Sequence, residues 1–232
     1  MNGDHLHSPN SVRPAIAIDG PAASGKSSAG KMFASQLGYR FLDTGLMYRA
    51  ATWDVMNNGI DINESEAVSR VVGKMEFSVI DGESGENLIL VNGQDVTRFL
   101  HSTAVDVSVS PVSAITAVRK IMVAEQRRIA TTGSIVMVGR DIGTVVFPNA
   151  DHKFFLIADV KVRAERRLKD LEKIDETKNI SELIEDIKRR DEIDSSRELS
   201  PLKQAVAAIP IDTSDLTIDE QIEKIVNIIN KK

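Results

Sequence analysis

The chain has 232 residues, 42% of them hydrophobic and 27% charged, enough for one sizeable core with a smaller appended subdomain. It contains no cysteine, which excludes disulfide frameworks, thiolate metal sites and cysteine nucleophiles. A net charge of −5 and 4% aromatic residues argue against a nucleic-acid partner, and no apolar run approaches the roughly 20 residues that a membrane span needs.

The N-terminal MNGDHLHSPNSVRP is polar and lacks the apolar stretch of a secretion signal, so residues 1–13 are expected to be a disordered tail and the protein cytoplasmic. Ala15–Asp19 reads as a short buried strand and Lys26–Leu37 as a helix closed by Gly38. Between them, GPAASGKS (20–27) fits the pattern G-x-x-x-x-G-K-[ST] in the context that gives it meaning, after a strand and before a helix. Gly20 and Gly25 allow the backbone close to an anion, and the helix N-terminus favours negative charge there. The loop of Gly20, Pro21, Ala22, Ala23, Ser24, Gly25, Lys26, Ser27 and Ser28 is therefore expected to hold the phosphates of a nucleoside triphosphate. Lys26 reaches the β- and γ-phosphates in this reading, and the Ser27 hydroxyl is placed to ligate Mg²⁺.

Tyr39–Asp43 follows as a second strand, Leu46–Asn58 as a helix stopped by Gly59, and Asn63–Met75 as a helix with Asn63 and Glu66 spaced like a capping box. MEFSVI, the turn-rich DGESGEN, LILV and NG read as antiparallel hairpin strands. A helix is expected from Pro111 to Ala130, with Ser110 as N-cap and Pro111 in its first position. Ile135–Val138 and Lys153–Ala158 read as strands, and Val160–Ile174 and Ser181–Arg197 as helices joined by a mobile linker within 171–181. Ile209–Asp212 is the last strand, and Thr217 and Glu220 cap the final helix. This alternation predicts an α/β fold with a parallel sheet covered on both faces, into which residues 61–128 are inserted.

Loops at the carboxyl ends of parallel strands open onto one crevice. FLDTGLMYRAA (41–51) brings Asp43, Thr44 and Arg49 there, and VGRDIGTVVFP (138–148) brings Arg140 and Asp141. KRRDEIDSSR (188–197) sets Arg190, Asp194 and Arg197 on one side of a helix. Planar guanidinium groups suit a phosphate, although each run also fits an ordinary salt-bridged surface. The guanine-reading N-K-x-D pattern of a switch GTPase is absent.

GPAASGKSS, FLDTGLMYR, SPVSAITAVR, GRDIGTVVFP and RRDEIDSSR ahead of SPL resemble, in order and spacing, the bacterial-type cytidylate kinases, a branch of the nucleoside monophosphate kinases. The likeness covers essentially the whole chain after the tail. It implies a three-layer phosphate-loop (P-loop) kinase fold: a parallel sheet flanked by helices, a lid, and an inserted monophosphate-binding subdomain with antiparallel strands. A single kinase domain would span 14–232, with the insertion at 61–128 and the lid at 159–198. The implied reaction moves the γ-phosphoryl group of Mg-ATP to CMP or dCMP, giving CDP or dCDP and ADP in pyrimidine metabolism. Nothing in the sequence demands an obligate partner, so a monomer is expected.

The resemblance also implies site residues. Arg49, Arg140 and Arg197 would gather around the acceptor phosphate. Thr44, Ser110, Arg119 and Asp141 would meet the cytosine, and Ser110, Arg190 and Asp194 the sugar hydroxyls. Lys26, Arg140, Arg163 and Arg167 would act on the transferring phosphoryl group, the last two from one face of a lid helix. From the residues alone, Ser110 reads equally as a helix cap and Arg119 as a solvated arginine. Arg166 lies off the lid face and is expected in solvent. DTSD (212–215) resembles the ledge under the adenine of ATP. One departure stands out: Val138 sits immediately before GRD, where family members commonly carry an acid, leaving Asp19, Asp43 or Asp141 to substitute through water. A kinase of another small acceptor and a nucleotide-gated binding protein are the competing readings.

Overall fold

A computed structural model describes residues 14–82, 86–131, 133–173 and 177–230. The tail at 1–13, the tip of the DGESGEN turn and the centre of the 171–181 linker lie outside them. The central strand, β1 (Ala15–Asp19), is apolar up to its last residue and buried beyond its first. Such a run belongs in a sheet covered on both faces. It pairs in parallel with β6 (Ile135–Gly139) and β7 (His152–Ile157). Outside these lie β2 (Arg40–Asp43) and β8 (Ile209–Asp212), again parallel, in the order β2-β6-β1-β7-β8. The register sets Asp19 against Gly139 and Asp43 against Val138, so the carboxyl ends that carry the polar motifs lie side by side.

Helices α1 (Lys26–Leu37) and α8 (Ile218–Ile229) cover one face, packing Ala29, Phe33, Ile222 and Ile225 on Ile16, Ile18, Val136 and Phe154. Helices α2 (Thr44–Asn57) and α5 (Thr116–Ala130) cover the other, with Met47, Ala51, Val118 and Met122 against Ala17, Leu42 and Met137. A three-stranded antiparallel sheet, β3 (Phe77–Asp81), β4 (Asn87–Val91) and β5 (Gln94–Asp95), stands beside this body after α3 (Ser65–Val72). Asn87 fastens it to β2: its side chain accepts from the Asp43 N–H at 2.9 Å and donates to the Phe41 carbonyl at 2.8 Å. Helices α6 (Val160–Glu172) and α7 (Ile180–Ser196) pair through Ala164, Leu171, Leu183 and Ile187. Among the described residues no single helix is long and apolar enough to cross a membrane.

Two local expectations are corrected. The helix expected to begin at Pro111 is two helices, α4 (Thr103–Ala114) and α5, broken at the extended Ile115. Val105, Val109 and Val112 recur at helical spacing and are buried, and that apolar stripe overrides both the valine-rich composition and the proline at position 111. Ser110 is therefore an interior residue of α4 and not its cap. The Asn63–Glu66 capping box does not form either. Asn63 turns back to Asp61, its side chain donating at 2.8 Å, and α3 begins at Ser65 with no side-chain cap. The box expected at Thr217 and Glu220 is present, with the Glu220 carboxylate accepting from the Thr217 N–H at 2.8 Å. Helix α2 starts at Thr44, with Asp43 as its N-cap accepting from the Gly45 N–H at 2.8 Å.

Val138 is turned into the core beneath α1, where Gly30 leaves room for it. A Cβ on Gly30 would lie 2.6 Å from Val138 Cγ1 and 3.2 Å from the Phe41 ring. Asp19 supports the next segment. Its carboxylate accepts from the N–H groups of Ile142 (2.8 Å) and Gly143 (2.7 Å), fixing the start of the π-helical turn Ile142–Val146 and hence Arg140 and Asp141 before it. Burial raises the Asp19 pKa from 3.8 to about 6, against the lowering effect of those two donors.

Two outcomes follow from these contacts. Gly30→Ala is expected to destabilise the protein by about 1–3 kcal/mol through overpacking, and adding Val138→Ala should recover part of that loss. Denaturant unfolding of both single variants and the double variant measures the coupling. Because the folded pKa of Asp19 lies above its unfolded value, its contribution is most favourable below pH 4 and is lost as pH rises through about 6. The stability of the wild type relative to Asp19→Asn should fall by about 3 kcal/mol between pH 4 and pH 7.5, as read from pH-resolved unfolding curves.

Candidate active site

The phosphate loop turns through positive φ at Gly20, Ala23 and Gly25, and its two glycines leave no room for a side chain. Gly20 has φ 150° and a Cβ there would meet the Leu156 carbonyl oxygen at 2.1 Å; Gly25 has φ 92° and a Cβ would lie 2.7 Å from Gln221 Oε1. Ser24 and Lys26 are buried, while Ser27 and Ser28 face solvent at the start of α1. Lys26 Nζ is held by its own loop, donating to the Pro21 carbonyl at 2.6 Å and Ser24 Oγ at 3.3 Å. Burial, with Arg140 and then Arg190 adding like charge, pushes its ammonium well below the usual lysine range. An anion entering here relieves a concentrated positive charge.

Beside the loop, the Ser27 hydroxyl donates to Asp43 Oδ2 at 2.5 Å. Two hard oxygens at the mouth of a phosphate loop suit Mg²⁺, which takes one or two protein ligands and completes its shell from phosphates and water. Of the three carboxylates named as substitutes for an acid at position 138, Asp43 is the one that meets Ser27. Asp19 has both oxygens on backbone N–H groups, and Asp141 is committed to an arginine.

That arginine is Arg119, 1% exposed, the reverse of a solvated side chain. It donates to Asp141 Oδ2 at 2.6 Å and to the Ser113 carbonyl at 3.2 Å, and its guanidinium lies 5.1 Å from the centre of the Tyr48 ring. Thr44 is buried and donates to the Val138 carbonyl at 2.9 Å. Asp194 sits between two arginines, with Arg140 Nε at 2.9 Å on one oxygen and Arg197 Nη1 at 3.3 Å on the other. Arg197 also donates to the Ser200 carbonyl at 2.6 Å. Among the described residues, Arg197 Nη2 and Arg190 Nε are buried without a hydrogen-bond partner. Buried donors left open in a crevice are ready for a ligand.

Arg49 and Arg190 meet at a residue the motifs did not single out. Asp106 of α4 pairs with Arg49, and Arg190 Nη1 stands 3.3 Å from the same carboxylate oxygen. Arg167 of α6 occupies the other oxygen at 2.6 Å. Arg163 goes elsewhere, to Asp191 at 2.7 Å, the Ala158 carbonyl at 3.1 Å and the Ala22 carbonyl of the phosphate loop at 3.3 Å. Arg163 and Arg167 thus share a helix face but have different partners. Arg166 is not in solvent either: it donates to the Thr213 carbonyl at 2.5 Å and holds the DTSD loop. Ser110 is buried on the side of α4 that also carries Asp106, four residues earlier. Helical spacing of Val105, Val109 and Val112 was the sequence signal for Asp106; Asp191 and Tyr48 carried none.

The cytidylate kinase family model matches residues 16–231. A cytidylate kinase of Bacillus licheniformis is 43% identical over 217 residues, 94% of this chain and 96% of its own. One from Lactobacillus gasseri is 44% identical over 94% of each chain. Among solved structures, the shikimate kinase of Bacteroides thetaiotaomicron superposes with a TM-score of 0.51 at 14% identity, covering 94% of this chain and 99% of its own, a likeness of fold alone. A phosphate loop and an arginine-lined crevice on one sheet edge, with a family match over nearly the whole length, place this chain in the cytidylate kinase family.

Proposed function

We propose that the protein transfers the γ-phosphoryl group of Mg-ATP to CMP, and to dCMP, giving CDP or dCDP and ADP. In this reading residues 14–232 form a single kinase domain, with 61–128 binding the monophosphate and 159–198 acting as the lid. The observation that carries it is the run of alternating charge along the crevice. Asp194 holds Arg140 and Arg197, Asp141 holds Arg119, and Lys26 lies close enough to feel Arg140 and Arg190.

Phosphoryl transfer asks the protein mainly for positioning and charge stabilisation. Gly20 to Ser28 wrap the triphosphate of ATP, and Lys26 leaves Pro21 and Ser24 for the β- and γ-phosphates. Mg²⁺ held by Ser27, with Asp43 beside it, would neutralise phosphate charge when bound. Arg49, Arg140 and Arg197 aim a CMP phosphate oxygen in line at the γ-phosphorus. As that oxygen–phosphorus bond forms, the bond to the β,γ-bridging oxygen breaks and its electron pair leaves with ADP. Arg163, already against the loop at Ala22, and Arg167 close over the equatorial oxygens and exclude water. A CMP phosphate is largely ionised at neutral pH, so no general base is required. On the base, Asp141 accepts from the cytosine amino group, with Arg119 fixing its carboxylate and Thr44 and Ser110 lining the same pocket. Arg190 and Asp194 meet the sugar.

ADP formation should be fast with CMP and dCMP, slower with UMP and small with AMP or GMP in a coupled assay. Asp141→Asn keeps a partner for Arg119 but weakens the acceptor for the amino group. The CMP-over-UMP preference is therefore expected to fall by roughly tenfold or more, the worth of a hydrogen bond to a charged group. Full turnover of ATP without any monophosphate, or equal rates with all five, would contradict the assignment.

A further inference from the structure

Asp106 has no part in the reaction as derived, yet three arginines of the crevice converge on it. They come from three separate elements: Arg49 from α2, Arg167 from α6 and Arg190 from α7. Oxygen Oδ1 takes Arg49 and Arg190, and Oδ2 takes Arg167 at 2.6 Å. Burial works to raise the pKa of this carboxyl, but the three guanidinium groups together hold it far below the usual carboxylate range, so it is an anion at every working pH. Three cations around one carboxylate leave the cluster with a net positive charge of about two, which a phosphate dianion would neutralise. A carboxylate and a phosphate also ask for the same thing from arginine, a planar pair of N–H donors.

We propose that Asp106 is an internal stand-in for the acceptor phosphate: in the empty enzyme it occupies the arginines that the substrate must recruit, and so it sets the KM for CMP. The inference rests on the reading of Arg49 as a ligand of the acceptor phosphate. Asp106 is a positioning residue. It keeps Arg49 ordered through a contact that complements the Leu100 carbonyl, 2.8 Å from Arg49 Nη1. It also draws Arg167 of the lid towards α4 and away from the phosphate loop until an acceptor arrives. Its side chain is 23% exposed, so the exchange needs no opening of the core.

The test compares wild type with Asp106→Asn and Asp106→Ser, measuring kcat and KM for CMP and for ATP, with calorimetric titration of CMP and of cytidine, which has no phosphate. Removing the competing charge should lower the KM and Kd for CMP by roughly tenfold, about the strength of one charge-assisted hydrogen bond. Cytidine affinity and the KM for ATP should change less than twofold. A raised or unchanged CMP KM in a folded variant would overturn the proposal while leaving the acceptor assignment intact, as would equal shifts for CMP and cytidine, the mark of a purely structural role. If one variant fails to fold, the other carries the comparison. No binding or turnover of CMP by the wild type would overturn the acceptor assignment and this proposal with it.

Discussion

Pairing of buried arginines by carboxylates is the constraint on which the site depends. Arg119 and Arg163 are almost wholly buried, and Arg49, Arg140, Arg190 and Arg197 are largely so. Left unpaired, each would carry a desolvation penalty of several kcal/mol. Asp106, Asp141, Asp191 and Asp194 share them out, so that the cations are held at fixed points around the crevice, each on a carboxylate. A crevice built this way is stable when empty and still positive enough to attract polyphosphates, in a chain whose overall charge is −5. An acidic composition is therefore compatible with a cationic site, because Asp106, Asp141, Asp191 and Asp194 are the scaffold that holds its arginines.

The sheet makes that arrangement geometrically possible. Parallel pairing through β1 and β6 sets the carboxyl ends of the strands in register, so Asp19, Asp43 and Gly139 end within one row. Each then does a different job. Asp43 caps α2 and meets Ser27; Asp19 fixes the turn that presents Arg140 and Asp141; the Val138 carbonyl beside them takes the Thr44 hydroxyl. The antiparallel sheet is attached at the same row through Asn87, which bonds to the backbone of Phe41 and Asp43 in β2. Val138 fits this division of labour. Its side chain packs under Gly30 in the core, leaving only its backbone to the site.

Much of this was legible in the sequence. The strand-loop-helix signature of the phosphate loop depends on local backbone geometry, which Gly20, Gly25 and Lys26 declare within eight residues. Strand-helix alternation and the caps at Thr217 and Gly38 are also local signals, and they were read correctly. The α4 segment was misread because a serine before a proline is a natural helix start, while burial of the Val105, Val109 and Val112 stripe carries the helix back to Thr103. That error hid Asp106, which was left outside any helix and so without a face to assign it to. The partner choice of each arginine was equally out of reach. Arg163 and Arg167 share a helix face, and only the tertiary positions of Asp191 and Asp106 separate their roles. Arg166 looked solvated, and Arg119 was left open between solvent and the site, because a sequence carries no record of what covers a side chain.

The central claim is that the carboxylate-held arginines form a seat for a phosphate joined to cytosine. A crystal structure of the complex with CMP tests it most directly. The account predicts the phosphate bridged by Arg49, Arg140 and Arg197, with Arg49 released from Asp106, and the cytosine amino group on Asp141. A phosphate bound away from these arginines, or a base that leaves Asp141 untouched, would contradict it.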